Sequence, residues 1–142
     1  MKEINLLIKL KKSEMHKYEN EISGIISKID KLNILLDKSY RVLNDYQVSI
    51  YNKETSYQMQ SYYIQSQRIV YEDIMVMRNQ IHRLENQKSS LYYQVQHCLK
   101  YIDYLKEKKQ RYFDIQEQER EKKYSRLMHD LIVCKKSHKG SS

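Results

Sequence analysis

A seven-residue apolar repeat runs through the first third of the chain. Its first series is Ile8, Met15, Ile22, Ile29, Leu36, Leu43 and Ile50. The companion series is Ile4, Lys11, Tyr18, Ile25, Leu32, Ser39 and Tyr46, in which only Lys11 and Ser39 depart from apolar or aromatic character. A strict repeat of seven keeps one apolar seam against a partner helix when the helices supercoil. The pattern therefore predicts a coiled-coil helix.

A second repeat of the same kind occupies the later part of the chain. It opens at Tyr63, and its two series are Val70, Met77, Leu84, Leu91, Cys98, Leu105 and Tyr112, and Ile74, Ile81, Lys88, Val95, Ile102 and Lys109. The seams Ile4 to Ile50 and Tyr63 to Tyr112 are nearly equal in length. Folding the chain back between them predicts an antiparallel hairpin, with a paired section about 70 Å long at 1.5 Å per residue.

The composition limits how often such a chain can reverse. It has no Pro and only 2 Gly, the residues that most tight turns need. We therefore predict an all-α fold: an elongated antiparallel two-helix coiled-coil hairpin whose second helix is longer than the first. The hairpin is a single domain over 1–134, with helix 1 at about 3–52, a reversal at about 53–60, helix 2 at about 61–134, and a disordered tail at 135–142. The location of the reversal rests on the polar stretch from Asn52 to Ser56 and on a capping box from Thr55 to Gln58.

The second helix is predicted to continue past the end of the first, over residues 113 to about 134. This extension carries an apolar stripe at helical spacing: Tyr124, Leu127, Met128 and Leu131. Nothing else in a two-helix hairpin is available to cover it. The stripe therefore points to a partner protein or to a second copy of the chain.

The net charge of +8 is unevenly distributed. Residues 1–12 and residues 106–126 each carry +3, and Lys135, Lys136 and Lys139 add three more positive charges. A hairpin gathers these three segments at one end, which predicts a basic surface suited to an acidic partner. A solvated basic face that keeps the protein soluble is the simpler interpretation of any one lysine run.

The sequence carries no catalytic pattern. The five His show no His-x-x-x-His spacing, and no Gly-rich loop is present to hold a phosphate. We expect no enzymatic activity, no cofactor and no metal. Cys98 and Cys134 are expected to be reduced thiols, with Cys98 acting as a small apolar residue on the seam. No apolar run is long enough for a membrane span, which favours a cytoplasmic protein without direct membrane insertion.

Two stretches suggest a family. Together with the hairpin plan and length, Leu43-Asn44-Asp45-Tyr46-Gln47 and the stretch from Leu105 to Arg111, LKEKKQR, resemble the FliJ/YscO family of type III secretion systems. The resemblance covers most of the chain. It implies a central stalk that inserts into the hexameric secretion ATPase, promotes its assembly or activity, and couples it to the export gate protein. It also implies binding to export chaperones and a place at the inner-membrane base of the apparatus.

The resemblance assigns the two ends of the hairpin to different partners. The basic end suits the ATPase, with contact candidates Leu6, Leu10, Lys108, Lys109, Arg111, Arg120, Lys122, Lys123, Tyr124 and Leu127. The flank of helix 2 near the reversal suits the export gate, with candidates Ile64, Tyr71 and Met75. Residues around the family's gate contact do not align here one by one, so none is transferred from it.

Two other functions fit the same residues. The first is a structural or adaptor coiled coil that oligomerises through the extension or scaffolds partners. The second is a nucleic-acid-binding rod. The basic segment 106–126 argues against it, since its cations are interleaved with five carboxylates that would repel phosphate: Glu107, Asp114, Glu117, Glu119 and Glu121. We therefore expect protein partners and no nucleic acid.

Overall fold

The computed structural model describes the backbone of residues 1–140 and the side chains of residues 1–136. It consists of two α-helices, α1 (Lys2–Ile50) and α2 (Tyr57–Gly140). The predicted all-α helical hairpin with a longer second helix is confirmed. α2 continues through Gly140, beyond the predicted end at 134 and into the predicted tail, because no Pro interrupts its backbone hydrogen bonds. Residues 141 and 142 of that tail lie outside the described residues.

Residues Glu14–His97 form one compact unit, here called the hairpin unit. Within it α1 and α2 run antiparallel: the Tyr46 ring lies 5.8 Å from that of Tyr63, and the Arg78 guanidinium lies 5.7 Å from the ring centroid of Tyr40. The buried side chains come from the predicted seams: Ile22, Ile29, Ile74 and Val95. Apolar burial along this seam stabilises the pair, as the seven-residue repeat requires.

The reversal between the helices spans residues 51–56 and contains no Gly. Ser56 caps α2, because its Oγ accepts a hydrogen bond of 3.2 Å from the Met59 amide. The capping residue is thus one position later than the predicted Thr55. Asn52 supports the turn, since its Oδ1 accepts a 3.1 Å hydrogen bond from the Glu54 amide.

The last carbonyls of α1 accept hydrogen bonds from one side chain of the reversal and one of α2. The Thr55 hydroxyl donates to the Ser49 carbonyl at 3.0 Å, and the side-chain amide of Gln60 donates to the Ile50 carbonyl at 3.1 Å. Many helices end with a Gly that lets the following backbone bond these carbonyls. Here the Asn52 backbone amide donates to the Ser49 carbonyl at 3.3 Å without a glycine, and the two side chains supply further donors.

The second compact unit, here called the terminal unit, comprises Met1–Ser13 and Cys98–Ser142. Its core is on α2, where Cys98, Ile102 and Leu105 are 2–3 % exposed. Among the described side chains of α2, which end at Lys136, the last half-buried one is Lys109. The apolar core of this unit therefore ends within a few residues of the predicted seam end.

The seams themselves follow the sequence pattern closely. Every predicted seam position of α1 is buried or half-buried, and among the predicted seam positions of α2 only Tyr112 is exposed.

Two lysines on the seams place their ammonium groups beside an aromatic ring or a carboxylate. The Lys11 ammonium lies 5.1 Å from the ring centroid of Tyr101, and that of Lys88 lies 2.9 Å from a Glu85 carboxylate oxygen. Their stems cover apolar surface while the charge is neutralised or held over an aromatic ring.

Candidate protein-docking surfaces

The most exposed helical surface of the described residues is at the end of α2. From Gln110 through Lys136 every side chain is exposed, and this stretch is here called the exposed segment. Its described polar contacts are local: Gln110 to Asp114 at 3.1 Å, Gln116 to Tyr112 at 2.9 Å, and Arg120 to Glu117 at 3.4 Å. Such contacts add only a few tenths of a kcal/mol each to a helix. The segment therefore lacks the tertiary packing that supports most protein helices.

The apolar stripe of the exposed segment is not a continuation of the seam. When the seam of α2 is extended by sevens from Leu105 and Lys109, it falls at the level of the stripe on Lys123, Arg126 and Asp130, which are all charged. The stripe residues Tyr124, Leu127 and Leu131 each lie one residue later. One residue turns an α-helix by about 100°. The stripe thus faces a different direction from the surface that packs against α1.

The two units differ in net charge. The terminal unit contains sixteen basic and eight acidic residues, whereas the hairpin unit contains ten of each. The whole net charge of +8 therefore belongs to the terminal unit. All three predicted basic segments lie in this unit, so the positive potential of the molecule is concentrated there.

All ten predicted ATPase-contact residues belong to the terminal unit. Nine of them are exposed, including Tyr124 at 66 % and Leu127 at 63 %. Leu6 and Leu10 are exposed on α1, and the cations Lys108, Arg111, Arg120, Lys122 and Lys123 are exposed on α2. Lys109 is half-buried, with its ammonium 6.0 Å from the ring centroid of Phe113. The structure thus brings the predicted set into one unit, where nearly all of it is accessible.

The three predicted gate-contact residues lie in the hairpin unit. Ile64, Tyr71 and Met75 are exposed and share one face of α2, because they are spaced by seven and four. Tyr57, 85 % exposed, lies seven residues before Ile64 and extends this face to the start of α2. Sequence reasoning omitted Tyr57 because it placed the residue in the reversal.

A shallow groove in the hairpin unit was not predicted. It has a volume of about 430 Å³ and is lined by Lys28, Lys31, Leu32, Gln80, Arg83, Leu84 and Gln87. Its apolar walls come from Leu32 and Leu84 on the two seams, and its three charged lining residues are all cations. The charge pattern alone could not reveal it, since the hairpin unit is neutral as a whole.

The described residues hold little further chemistry. Among them no three His, Cys, Asp or Glu side chains gather as a metal site would require. No helix in this part of the chain is both long and apolar enough to cross a membrane. Cys98 is buried and Cys134 is exposed, and both are thiols.

Comparison with protein-family models, with curated proteins and with solved structures gave no match to this chain.

Proposed function

We propose that this chain is a non-catalytic central stalk of a type III secretion system, as its resemblance to the FliJ/YscO family implies. In this role the terminal unit binds the hexameric secretion ATPase and promotes its assembly or activity. The hairpin unit couples the ATPase to the export gate protein, and export chaperones are further partners. The protein acts in the cytoplasm at the inner-membrane base of the apparatus.

The observation that carries the proposal is the concentration of the whole net charge of +8 in the terminal unit, beside an exposed helical surface. A basic unit steers association with an acidic pore lining, while a neutral unit avoids competing encounters.

The exposed segment supplies apolar contacts to the same interface. Tyr124 and Leu127 lie within about one helical turn of Lys122 and Lys123, so an aromatic and an aliphatic anchor are flanked by cations. Interfaces commonly combine such anchors, which supply most of the binding energy, with charged rims that set orientation. This combination favours a protein partner over a nucleic acid.

The proposal is tested with the purified full-length chain and the hexameric secretion ATPase from the same organism. We expect the chain to raise ATP hydrolysis and the hexamer fraction measured by sedimentation velocity. Reversing Lys108, Lys109 and Arg111 to Glu should weaken binding about tenfold or more, which corresponds to about 1.4 kcal/mol or more. Far-UV circular dichroism should show unchanged helicity in the variant.

A matched control reverses three cations of the neutral unit, Lys28, Lys31 and Arg83, to Glu. It changes the formal charge by the same amount, so it should leave ATPase binding unchanged if the basic unit carries the interaction. Equal loss in both variants would indicate a non-specific charge effect. No effect of the wild-type chain on hydrolysis or on hexamer content would refute the proposal.

For the export gate, Ile64, Tyr71 and Met75 are the residues to change. Substituting all three with Ser should lower secretion while ATPase stimulation in vitro is retained. Loss of both activities together would contradict the assignment of separate partners to the two units.

A further inference from the structure

The groove of the hairpin unit is positively charged, although the unit as a whole is neutral. Its charged lining residues are Lys28, Lys31 and Arg83, and no lining residue is acidic. All three cations are exposed, and none of them forms an ion pair with any of the described residues. Three like charges around an apolar floor raise the local positive potential, so the groove favours an anionic occupant.

The carboxylates nearest in sequence to the groove do not neutralise it. Arg83 precedes the seam residue Leu84 and Glu85 follows it, so a turn of about 100° per residue places the two on opposite sides of the seam. The hydrogen bond to Glu85 raises the pKa of the Lys88 ammonium, and the charge of Asp30 adds to this shift. Both carboxylates therefore act on a seam lysine that does not line the groove.

The positive surface ends within one repeat in both directions. Seven residues before Lys28 the same flank of the coiled coil carries Glu21, and seven residues before Gln80 it carries Asp73. Because the helices are antiparallel, Asp73 lies on the side of the reversal and Glu21 on the opposite side. The groove extends from Gln80 to Gln87 along α2, which is about 10 Å or two helical turns. A complementary partner thus needs its carboxylates within about two turns.

Exposed apolar side chains continue from the groove toward the reversal. Leu35 follows Lys28 by seven residues, and Val76 precedes Arg83 by seven, so both share the flank of the groove. They are 51 % and 56 % exposed. A complementary partner therefore has carboxylates at one end of its contact surface and apolar side chains at the other.

The walls of the groove determine the conformation of its occupant. Both walls are helix interiors, where the backbone N–H and C=O groups are hydrogen-bonded within the helix. An extended peptide would gain no backbone hydrogen bonds from them, whereas a helix satisfies its own backbone groups. We propose that the groove binds an acidic amphipathic helix of a partner protein. An apolar side chain of that helix lies between Leu32 and Leu84, and its carboxylates face the three cations.

This surface is separate from those used in the proposed function. Ile64 and Tyr71 precede Glu85 by multiples of seven and share its flank, on the other side of the seam from Arg83. None of the ATPase-contact candidates belongs to the hairpin unit. The groove shares no residue with either surface, so its occupation can be tested without the ATPase or the export gate.

The test uses the full chain and a stapled helical peptide of about four turns, with a leucine stripe on one face and glutamates beside it. A control peptide has glutamine in place of every glutamate. Methyl signals of Leu32 and Leu84 in the nuclear magnetic resonance spectrum report occupation of the groove, separately from contacts with the basic terminal unit. We expect the acidic peptide to shift both signals saturably. The glutamine peptide should bind about tenfold more weakly, since it loses three partly exposed charge pairs.

A variant of the groove tests the cations. Lys28→Gln, Lys31→Gln and Arg83→Gln together should weaken binding of the acidic peptide about tenfold and leave binding of the glutamine peptide unchanged. The matched control has the same net charge and neutralises three exposed cations elsewhere in the hairpin unit, by Arg41→Gln, Lys53→Gln and Arg68→Gln. It should keep the wild-type affinity at the Leu32 and Leu84 signals. Circular dichroism verifies that both variants keep their helicity.

Several results would overturn the proposal. These are equal binding of the two peptides, wild-type affinity in the groove variant, or shifts confined to the terminal unit. A single-stranded oligonucleotide has no apolar side chain to place between Leu32 and Leu84, and should shift neither signal. If it shifted both as strongly as the peptide, the occupant would be a nucleic acid and not a protein helix. No readout involves the ATPase, so failure here is distinct from failure of the proposed function.

Discussion

The hairpin unit and the exposed segment differ in almost every property except their helical backbone. The hairpin unit is neutral, and the apolar residues of its seams lie between two helices. The exposed segment separates its charges along its length, and its apolar stripe is uncovered. α2 contributes to both and continues between them without a break. The difference teaches that one helix can carry two apolar faces that point in different directions, with the change marked by a shift of one residue in the repeat.

The largest expected change in the free energy of unfolding is at Ile74, the most buried of the described side chains, and it tests the difference between the hairpin unit and the exposed segment. Ile74 is 1 % exposed, so Ile74→Ala leaves a cavity and should lower the free energy of unfolding by about 2–4 kcal/mol. Leu127→Ala, in the exposed segment, should change it by less than about 0.5 kcal/mol at concentrations where the chain is monomeric. Urea denaturation measures both.

The matched control for this pair is Ile64→Ala. It removes the same side chain from the same helix at an exposed position, and it should resemble Leu127→Ala. If Leu127→Ala destabilised the dilute protein as much as Ile74→Ala, the exposed segment would have a partner within its own chain.

A smaller effect is expected at the start of α2. Ser56→Ala removes the hydroxyl that caps the helix, and should lower the free energy of unfolding by about 1 kcal/mol. Ser125→Ala, in the exposed segment, removes no cap and replaces Ser by a better helix former, so it should be neutral or slightly stabilising. Equal losses at both sites would show that the cap contributes nothing specific.

The smallest expected effect concerns a single ion pair of the hairpin unit. The hydrogen bond to Glu85 raises the pKa of the Lys88 ammonium above its ordinary value of 10.5, although partial burial opposes the shift. Because the pKa is raised in the folded state, the pair stabilises the fold below pH 10.5 and loses that contribution as the pH rises through the folded pKa. The wild-type protein should thus lose stability above pH 10.5.

Lys88→Leu places an apolar residue on the seam and should reduce this loss. Urea midpoints of the two proteins, compared from about pH 9 to about pH 11, measure the difference, since the rest of the sequence is the same in both. An identical pH dependence in the variant would contradict the assignment. The comparable pair of the exposed segment, Arg120 and Glu117, has no neighbouring helix to support it and should contribute less.

The sequence was sufficient to predict the helices, because the seven-residue repeat states both the periodicity and the face that is covered. It located the reversal less accurately. Most turns can be recognised in a sequence by Gly or Pro, whereas this one includes hydrogen bonds from the Thr55 and Gln60 side chains to carbonyls of α1. Neither residue type is specific to turns, so a hydrogen-bonding pattern of this kind is visible only in three dimensions.

Of the candidate surfaces, only those that lie on a single helix could be predicted from the sequence. The stripe and the basic segments are sequence patterns, and the structure confirms that the stripe is exposed. The groove beside Leu32 and Leu84 combines residues from two helices, and only their register brings them together. The position of Tyr57 on the same face of α2 as Ile64 also depended on knowing that α2 starts there.

Because Cys98 is buried, the rate at which its thiol is labelled reports how often the terminal unit opens. A thiol that is 2 % exposed reacts with a soluble disulfide reagent only when the surrounding helices open, whereas Cys134 reacts at once. The slow phase of labelling therefore gives the frequency with which the terminal unit opens, without any introduced probe. A partner that binds this unit and suppresses its opening would slow that phase, so the labelling rate of the native cysteines measures binding as well as local unfolding.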